Sequence, residues 1–211
     1  DAGARRCLAN GGSVPRLAEA ARTERRQQLI DAAWSCASKQ GFRSLTVDDV
    51  CAEAGVSKGA FYIYFEQKQD LLLALLEDDA TGVEKTMQDL TRSGASGVER
   101  LRRFVRAELE RGEDVSRLQV CADLWAEMSS NPQVRERFAE VVRRRRMALR
   151  SWIDEATSAG EIIDIPSNAL AAILLALGDG LMLHAGLDPS GFRWTNVKRA
   201  LDAILEGIER S

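Results

Sequence analysis

Apolar residues return every three or four positions along almost the whole chain, and no stretch alternates apolar with polar residues over β-branched positions. The pattern predicts an all-α protein of nine helices. The first covers about residues 22–39, with Ile30, Ala33, Trp34 and Ala37 on one stripe and Gln40-Gly41 as its stop. Thr46 reads as the N-cap of a second helix that ends at Ala54-Gly55, with Asp49 in the place where a capping box usually has Glu or Gln. Ser57 caps a short third helix to about Tyr64, and a long fourth, about 67–90, follows Leu71, Leu72, Leu75 and Leu76. After the loop at 94–97 come helices over about 98–111, 115–129, 131–157, 166–185 and 194–209, one of them opened by Asn131 as cap and Pro132 at its first position.

Composition narrows the choice of chemistry. The chain has 211 residues, 45% hydrophobic and 29% charged, which suits one large domain or two small ones that share a core and excludes intrinsic disorder, collagen and a membrane-embedded bundle. The most apolar stretch, 169–187, carries Asp179 and His184 and reads as a buried or interface helix, since a spanning helix needs roughly 20 mainly apolar residues. No membrane partner is expected. The opening 21 residues hold no apolar run of a secretory leader. Cysteines at 7, 36, 51 and 121 form no CxxC, and a single histidine leaves little to complete a zinc site, so neither metal nor cofactor is expected. The cysteines read as reduced thiols of a cytoplasmic protein, packed as small hydrophobes. One histidine also argues against the many enzymes that lean on imidazole. Net charge is −3, but residues 1–68 carry 10 Lys/Arg against 8 Asp/Glu and the rest 19 against 24, so only the first third suits DNA.

Residues 46–64 hold two short helices joined by Ala54-Gly55-Val56-Ser57, which is a helix-turn-helix. The spacing alone also fits an αα-hairpin that only packs. In a DNA-binding version the second helix enters the major groove, and Lys58, Tyr62, Tyr64 and Lys68 are placed for that work. The wider run of residues carries more. Gly41-Phe42, Thr46-Val47-Asp48-Asp49-Val50, the unbroken stretch from Ala54 to Phe65 (AGVSKGAFYIYF) and Lys68 closely resemble the TetR family of transcriptional regulators over about residues 23–76. The resemblance implies a flexible basic arm (1–21), a helix-turn-helix domain (22–66) and a helical domain (67–211) that binds a small-molecule effector and forms a homodimer. It implies a double-stranded DNA operator as partner and repression as the mode of action.

Carried over by position, the resemblance puts Thr46, Ser57, Lys58, Gly59, Tyr62, Tyr64 and Lys68 at the DNA; Ala60 and Ile63 depart from the family's frequent polar choices on the same helix, and the basic residues Arg16, Arg22, Arg25 and Arg26 are placed for phosphates or the minor groove. Thr46, Tyr62 and Lys68 would reach phosphates, Gly59 would allow close approach, and Lys58 would bond guanine acceptors. Ala60 and Ile63 offer only methyl contact to thymine. Phe61 and Phe65 are expected in the core.

For the effector, Phe104, Trp125, Met128 and Trp152 offer apolar and polarizable surface, with Cys121, Asp179 and His184 as polar orienting groups. Few charges are expected among them, which favours a small, largely apolar molecule, and the fourth helix is expected to carry its signal. Leu170, Ile173, Leu174, Leu177 and Leu181, with Val197, Leu201 and Ile204, are expected at the dimer interface. Arg143 to Arg146 should be solvated, with Glu140 paired to Arg144. Two other classes fit parts of the chain. A helical interaction protein with an idle hairpin is one; a serine hydrolase at Ser57 is the other, since Gly55-Val56-Ser57-Lys58-Gly59 matches G-x-S-x-G but lacks the preceding strand and a nearby base.

Overall fold

The computed structural model describes residues 14–210, and among them it holds nine α-helices: α1 (Val14–Gln40), α2 (Val47–Ala54), α3 (Lys58–Tyr62), α4 (Lys68–Arg92), α5 (Gly97–Gly112), α6 (Val115–Ser130), α7 (Pro132–Ser158), α8 (Ser167–Leu187) and α9 (Trp194–Gly207). The expected all-α class and order are found. α1 starts at Val14, eight residues ahead of the expected start, so the last part of the expected arm is helical. Cys7 and the rest of the arm lie outside the described residues, as does the side chain of Arg16. The elements found also include one isolated antiparallel bridge, Ile162 to Glu209, which ties the end of the chain to the α7–α8 loop.

The caps fall where the residues call for them. Asn131 Oδ1 accepts from the backbone N–H groups of Gln133 (3.0 Å) and Val134 (3.3 Å) at the start of α7. Gly55, at φ +64°, ends α2 in the left-handed region, where a side chain would be strained. Leu29, Ile30, Leu45, Val50, Phe61, Phe65, Leu71, Leu72 and Leu75 pack the first core, which α6 and α7 extend through Val120 and Val134. The second core gathers Val83 and Met87 of α4, Leu101 and Phe104 of α5, and Leu149, Trp152 and Ile153 of α7. α4 thus runs through both cores. Where α5 begins it lies so close to α7 that a Cβ on Gly97 would stand 2.6 Å from the Trp152 carbonyl oxygen and 2.8 Å from Ala156 Cβ.

One carboxylate gathers four helices. Asp79 of α4 accepts from Arg111 Nη2 of α5 (2.7 Å), from Arg117 Nε and Nη2 of α6 (2.6 and 2.9 Å), and from Arg145 Nη2 of α7 (3.4 Å). Desolvation pushes the Asp79 carboxyl up, but the Arg117 hydrogen bonds and the charges of Arg117, Arg111 and Arg145 outweigh it and hold the group below the usual carboxylate range. Arg145 therefore corrects the expectation of a solvated arginine run. Arg143 pairs with Glu136 (2.8 Å) and Arg144 with Glu84 (2.7 Å), while Glu140 pairs with Arg137 (2.9 Å). Tertiary packing brings Glu84 of α4 within reach of Arg144, and the longer-range pair wins over the local one.

Gly97→Val should overpack the α5–α7 crossing and cost about 1–3 kcal/mol; thermal unfolding should show it at about 2–4 °C per kcal/mol. Asp79→Ala should cost about 3–5 kcal/mol in urea unfolding, because it strands buried guanidinium groups. Since the folded carboxyl titrates below its ordinary value, its contribution is whole above pH about 4 and fades as pH falls through the folded value. The gap between wild type and Asp79→Ala should narrow in acid.

Candidate nucleic-acid interface and interior cavity

α3 is only five residues long, and its placement depends on what flanks it. Ser57 Oγ accepts from the Ala60 N–H (3.2 Å), while Phe61 and Phe65 are buried with ring centroids 5.5 Å apart. These two anchors turn Ser57, Lys58, Gly59, Tyr62 and Ile63 outward; Ile63 is 65% and Tyr62 53% exposed. Ala60 and Tyr64 are half-buried. An isoleucine this exposed contributes nothing to the core. Lys58 Nζ pairs with Asp48 Oδ1 at 2.8 Å on the surface, and Asp48 raises the lysine further above its ordinary value. Arg22 is exposed on α1, close to the start of the described chain.

Two of the expected phosphate ligands are occupied. Thr46 forms the full capping box with Asp49: its N–H and hydroxyl donate to Asp49 Oδ2 (2.8 and 2.7 Å), and its Oγ1 accepts from the Asp49 N–H (3.2 Å). Those bonds from Thr46 lower the Asp49 carboxyl and use the one hydroxyl proton that a phosphate would need. Lys68 is half-buried, donates to the Arg43 carbonyl (3.0 Å) and lies 4.8 Å over the Phe42 ring; burial lowers its pKa. The same segment is held from the other side by Asp123 of α6, which accepts from the N–H groups of Phe42 (2.6 Å) and Arg43 (3.2 Å). Asp123 was not among the expected residues, because an acid on a helix face gives no sign of the distant backbone that it caps.

Behind this surface, α4 to α8 and Leu201 of α9 enclose a cavity of about 70 Å³. Of the expected effector residues, Phe104, Cys121, Trp125 and Asp179 line it. The other three lie elsewhere. Trp152 is buried in the second core, donating from Nε1 to Thr91 Oγ1 (3.2 Å), Met128 packs on the first core, and His184 is exposed near the end of α8. The wall is also more charged than expected, for Asp79, Glu108, Arg117 and Arg145 belong to it. Burial pushes the Cys121 thiol up to about 12, which makes it a packing group and a poor nucleophile. Desolvation raises the Asp179 carboxyl at the rim, with Arg145 acting against it.

Cavity and helix-turn-helix meet at two points. α6 carries Cys121 and Trp125 into the cavity wall and, between them, Asp123 to the loop ahead of α2. On α4, Asp79 faces the arginines while Asp78 accepts from Trp34 Nε1 and Gln27 Nε2 of α1, both at 3.0 Å. Farther along, α8 has the length and mean hydropathy (1.8) of a spanning helix, but its two sides differ. Leu174, Leu177 and Leu181 turn to the cavity, and Leu170 packs on the second core. The exposed side includes Ala169, Ile173, Ala176, Leu183, His184 and Leu187, with Gly180 half-buried on the same line and Asp179 exposed beside it. Of the expected interface set, Ile173 and Ile204 are 60% and 61% exposed, Val197 is half-buried, and Leu201 is buried within the chain. The stripe facing outward is thus turned from the leucines chosen by hydrophobicity alone.

Ser57 serves as the cap of α3, and the lone histidine sits near the end of α8, so the residues of the G-x-S-x-G match build no nucleophile elbow. Comparison with known proteins agrees with the geometry. Residues 29–75 match the model of the bacterial regulatory proteins of the tetR family, and residues 97–209 match that of the BetI-type transcriptional repressor C-terminal region. The chain is 27% identical over 201 residues to the HTH-type transcriptional repressor Rv1474c of Mycobacterium tuberculosis, covering 94% of this chain and 100% of that one. It is 26% identical over 189 residues to the repressor AcnR of Corynebacterium diphtheriae, covering 89% and 93%. A transcriptional regulator from Saccharomonospora viridis, solved in complex with choline, has the same fold at a TM-score of 0.80 and 24% identity, covering 90% and 100%. With both the helix-turn-helix and the helical domain behind it matched, the chain belongs to the TetR family and is a ligand-responsive, DNA-binding transcriptional regulator.

Proposed function

We propose that the protein is a cytoplasmic repressor that binds an inverted-repeat operator as a homodimer and leaves it when a small molecule fills the cavity between α4 and α8. It acts by binding, without catalysis. The observation that carries this reading is the position of Asp123. It holds the N–H groups of Phe42 and Arg43 from a helix whose neighbouring side chains, Cys121 and Trp125, line the cavity. A ligand that shifts α6 therefore moves the support of the DNA-binding helices. Release follows only if the ligand prefers the shifted conformation, and the size of that preference sets the size of the effect. α4, expected as the transmitter, shares the task through Asp78 and Asp79. The names of the Mycobacterium and Corynebacterium relatives favour repression.

On this reading the direct DNA contacts come from Lys58, Tyr62, Ile63 and the approach permitted at Gly59. Ser57, Ala60 and Tyr64 flank them, with Arg22 reaching the backbone. Thr46 and Lys68 act first as braces of the motif, and as phosphate ligands only if DNA redirects their protons. Two protomers joined through α8 and α9 would set their α3 helices about 34 to 36 Å apart, one turn of duplex. Ile173, Leu183, Leu187 and Ile204 form the apolar face for that pairing, around the small residues Ala169, Ala176 and Gly180.

Footprinting on the intergenic DNA beside the protein's own coding sequence should protect an inverted repeat; protection of no defined site would defeat the proposal. In fluorescence anisotropy, Tyr62→Ala and Lys58→Ala should weaken operator binding, and each lost phosphate contact should flatten the slope of log K against log salt by about 0.9 per half-site. The double variant Ile173→Asp with Leu183→Asp should sediment as a monomer at micromolar concentration and bind the operator at least tenfold more weakly. A dimer of unchanged affinity would place the interface elsewhere.

A further inference from the structure

Two guanidinium groups in the cavity wall have donors to spare. Arg117, with a side chain only 9% exposed, uses Nε and Nη2 on Asp79, and its Nη1 is buried with no hydrogen-bond partner. Arg145, 13% exposed, gives Nη2 to Asp79, and its Nε is likewise buried without a partner. Both residues line the cavity. Leaving a charged donor buried and unpaired is costlier than leaving a neutral one, so a fold that keeps two such residues in one cavity wall is open to an acceptor. Glu108, also in the wall, forms an ion pair with Arg111 (Oε1 to Nε, 3.5 Å) and acts on Arg117 only through its charge, without a hydrogen bond to either spare donor. Asp79 cannot satisfy the surplus, because three arginines already share its two oxygens.

Taking the cavity as the effector site, we infer that the effector is a small amphiphilic carboxylate whose oxygens bind Arg117 Nη1 and Arg145 Nε, with its apolar body along Phe104, Trp125, Phe138 and Leu174. Arginine suits the task because its planar, charged fork matches a carboxylate and keeps its charge when buried. Phe104, Trp125, Phe138 and Leu174 carry the apolar part, since none of these side chains offers a competing acceptor. The regulatory consequence is direct. A second carboxylate at Arg117 and Arg145 competes with Asp79 for the same two cations and loosens the hold of α6 and α7 on α4.

Calorimetric titration of the full chain with butanoate, hexanoate and octanoate, each against the matching primary amide, and with choline chloride, tests the assignment. At least one carboxylate should bind ten times more tightly than its amide, and Arg145→Gln should erase that preference. Arg145 is chosen because its bond to Asp79 is the longest of the set, so its loss disturbs the fold least. In Asp79→Asn, where the arginines lack their own carboxylate, millimolar carboxylate should raise the melting temperature by more than it does in wild type. Equal binding of acid and amide, preferential binding of choline, or no binding of any carboxylate would each overturn the assignment. If choline or the amides bind and release the operator, the cavity remains the effector site and only the anionic head is wrong. If a carboxylate binds as described but leaves operator affinity unchanged, the carboxylate site stands and the effector reading of the cavity falls.

Discussion

The ionic knot at Asp79 is the constraint on which α4 to α7 are arranged. A carboxylate has roughly four acceptor positions, and here arginines from three different helices compete for them. The charges are mutually indispensable. Each guanidinium is taken largely out of water and is tolerable only beside an anion, while Asp79 is kept ionised only by the cations around it. Such a cluster adds less net stability than its bond list suggests, since desolvation consumes much of the attraction. What it adds is position. α5, α6 and α7 can sit on α4 only at the height and rotation that bring their arginines to one point, and that point is the wall of the cavity.

Because α4 belongs to both cores, this placement reaches the helix-turn-helix. Asp78 and Asp79 are successive residues turned to different neighbours, one taking hydrogen bonds from α1 and the other holding the cavity arginines. α6 repeats the arrangement within five residues, with Cys121 and Trp125 inward and Asp123 on the backbone of Phe42 and Arg43. A change in the cavity has two short, polar routes to the same small bundle. Polar routes suit a switch, since hydrogen bonds are lost over a fraction of an ångström while apolar packing yields gradually.

α8 shows how one apolar helix serves two surfaces. Its leucines at 174, 177 and 181 close the cavity, whereas Ile173, Leu183 and Leu187 face outward around small residues. An exposed apolar line of this kind is costly in a lone chain and becomes favourable when covered by a second copy. The same helix thus joins the cavity wall to an exposed apolar line on its opposite side.

Helix class, order and most boundaries were legible in the residues, because periodicity, caps and stop signals are local properties of the chain. The capping box at Thr46 and Asp49, the Ser57 cap and the inward turn of Phe61 and Phe65 are of this kind, and so is the motif that they shape. The cavity was legible only in part. Phe104 and Trp125 follow from apolar character, and Cys121 and Asp179 from being polar groups on apolar stretches, but Asp79, Glu108, Arg117 and Arg145 do not follow from either. A trace of them is present in hindsight. Asp79 falls between Leu76 and Val83, Glu108 follows Leu101 and Phe104, and Arg145 lies between Val141 and Leu149, each on the buried stripe of its own helix. A charge on such a stripe signals a buried partner, yet nothing in one helix says where the partner is. Opposite charges that are far apart along the chain become neighbours only when the helices pack, and packing is also what decided which face of α8 is left exposed. Local patterning determined the helices and the helix-turn-helix; the meeting of their charges, and with it the character of the cavity, belongs to the tertiary structure.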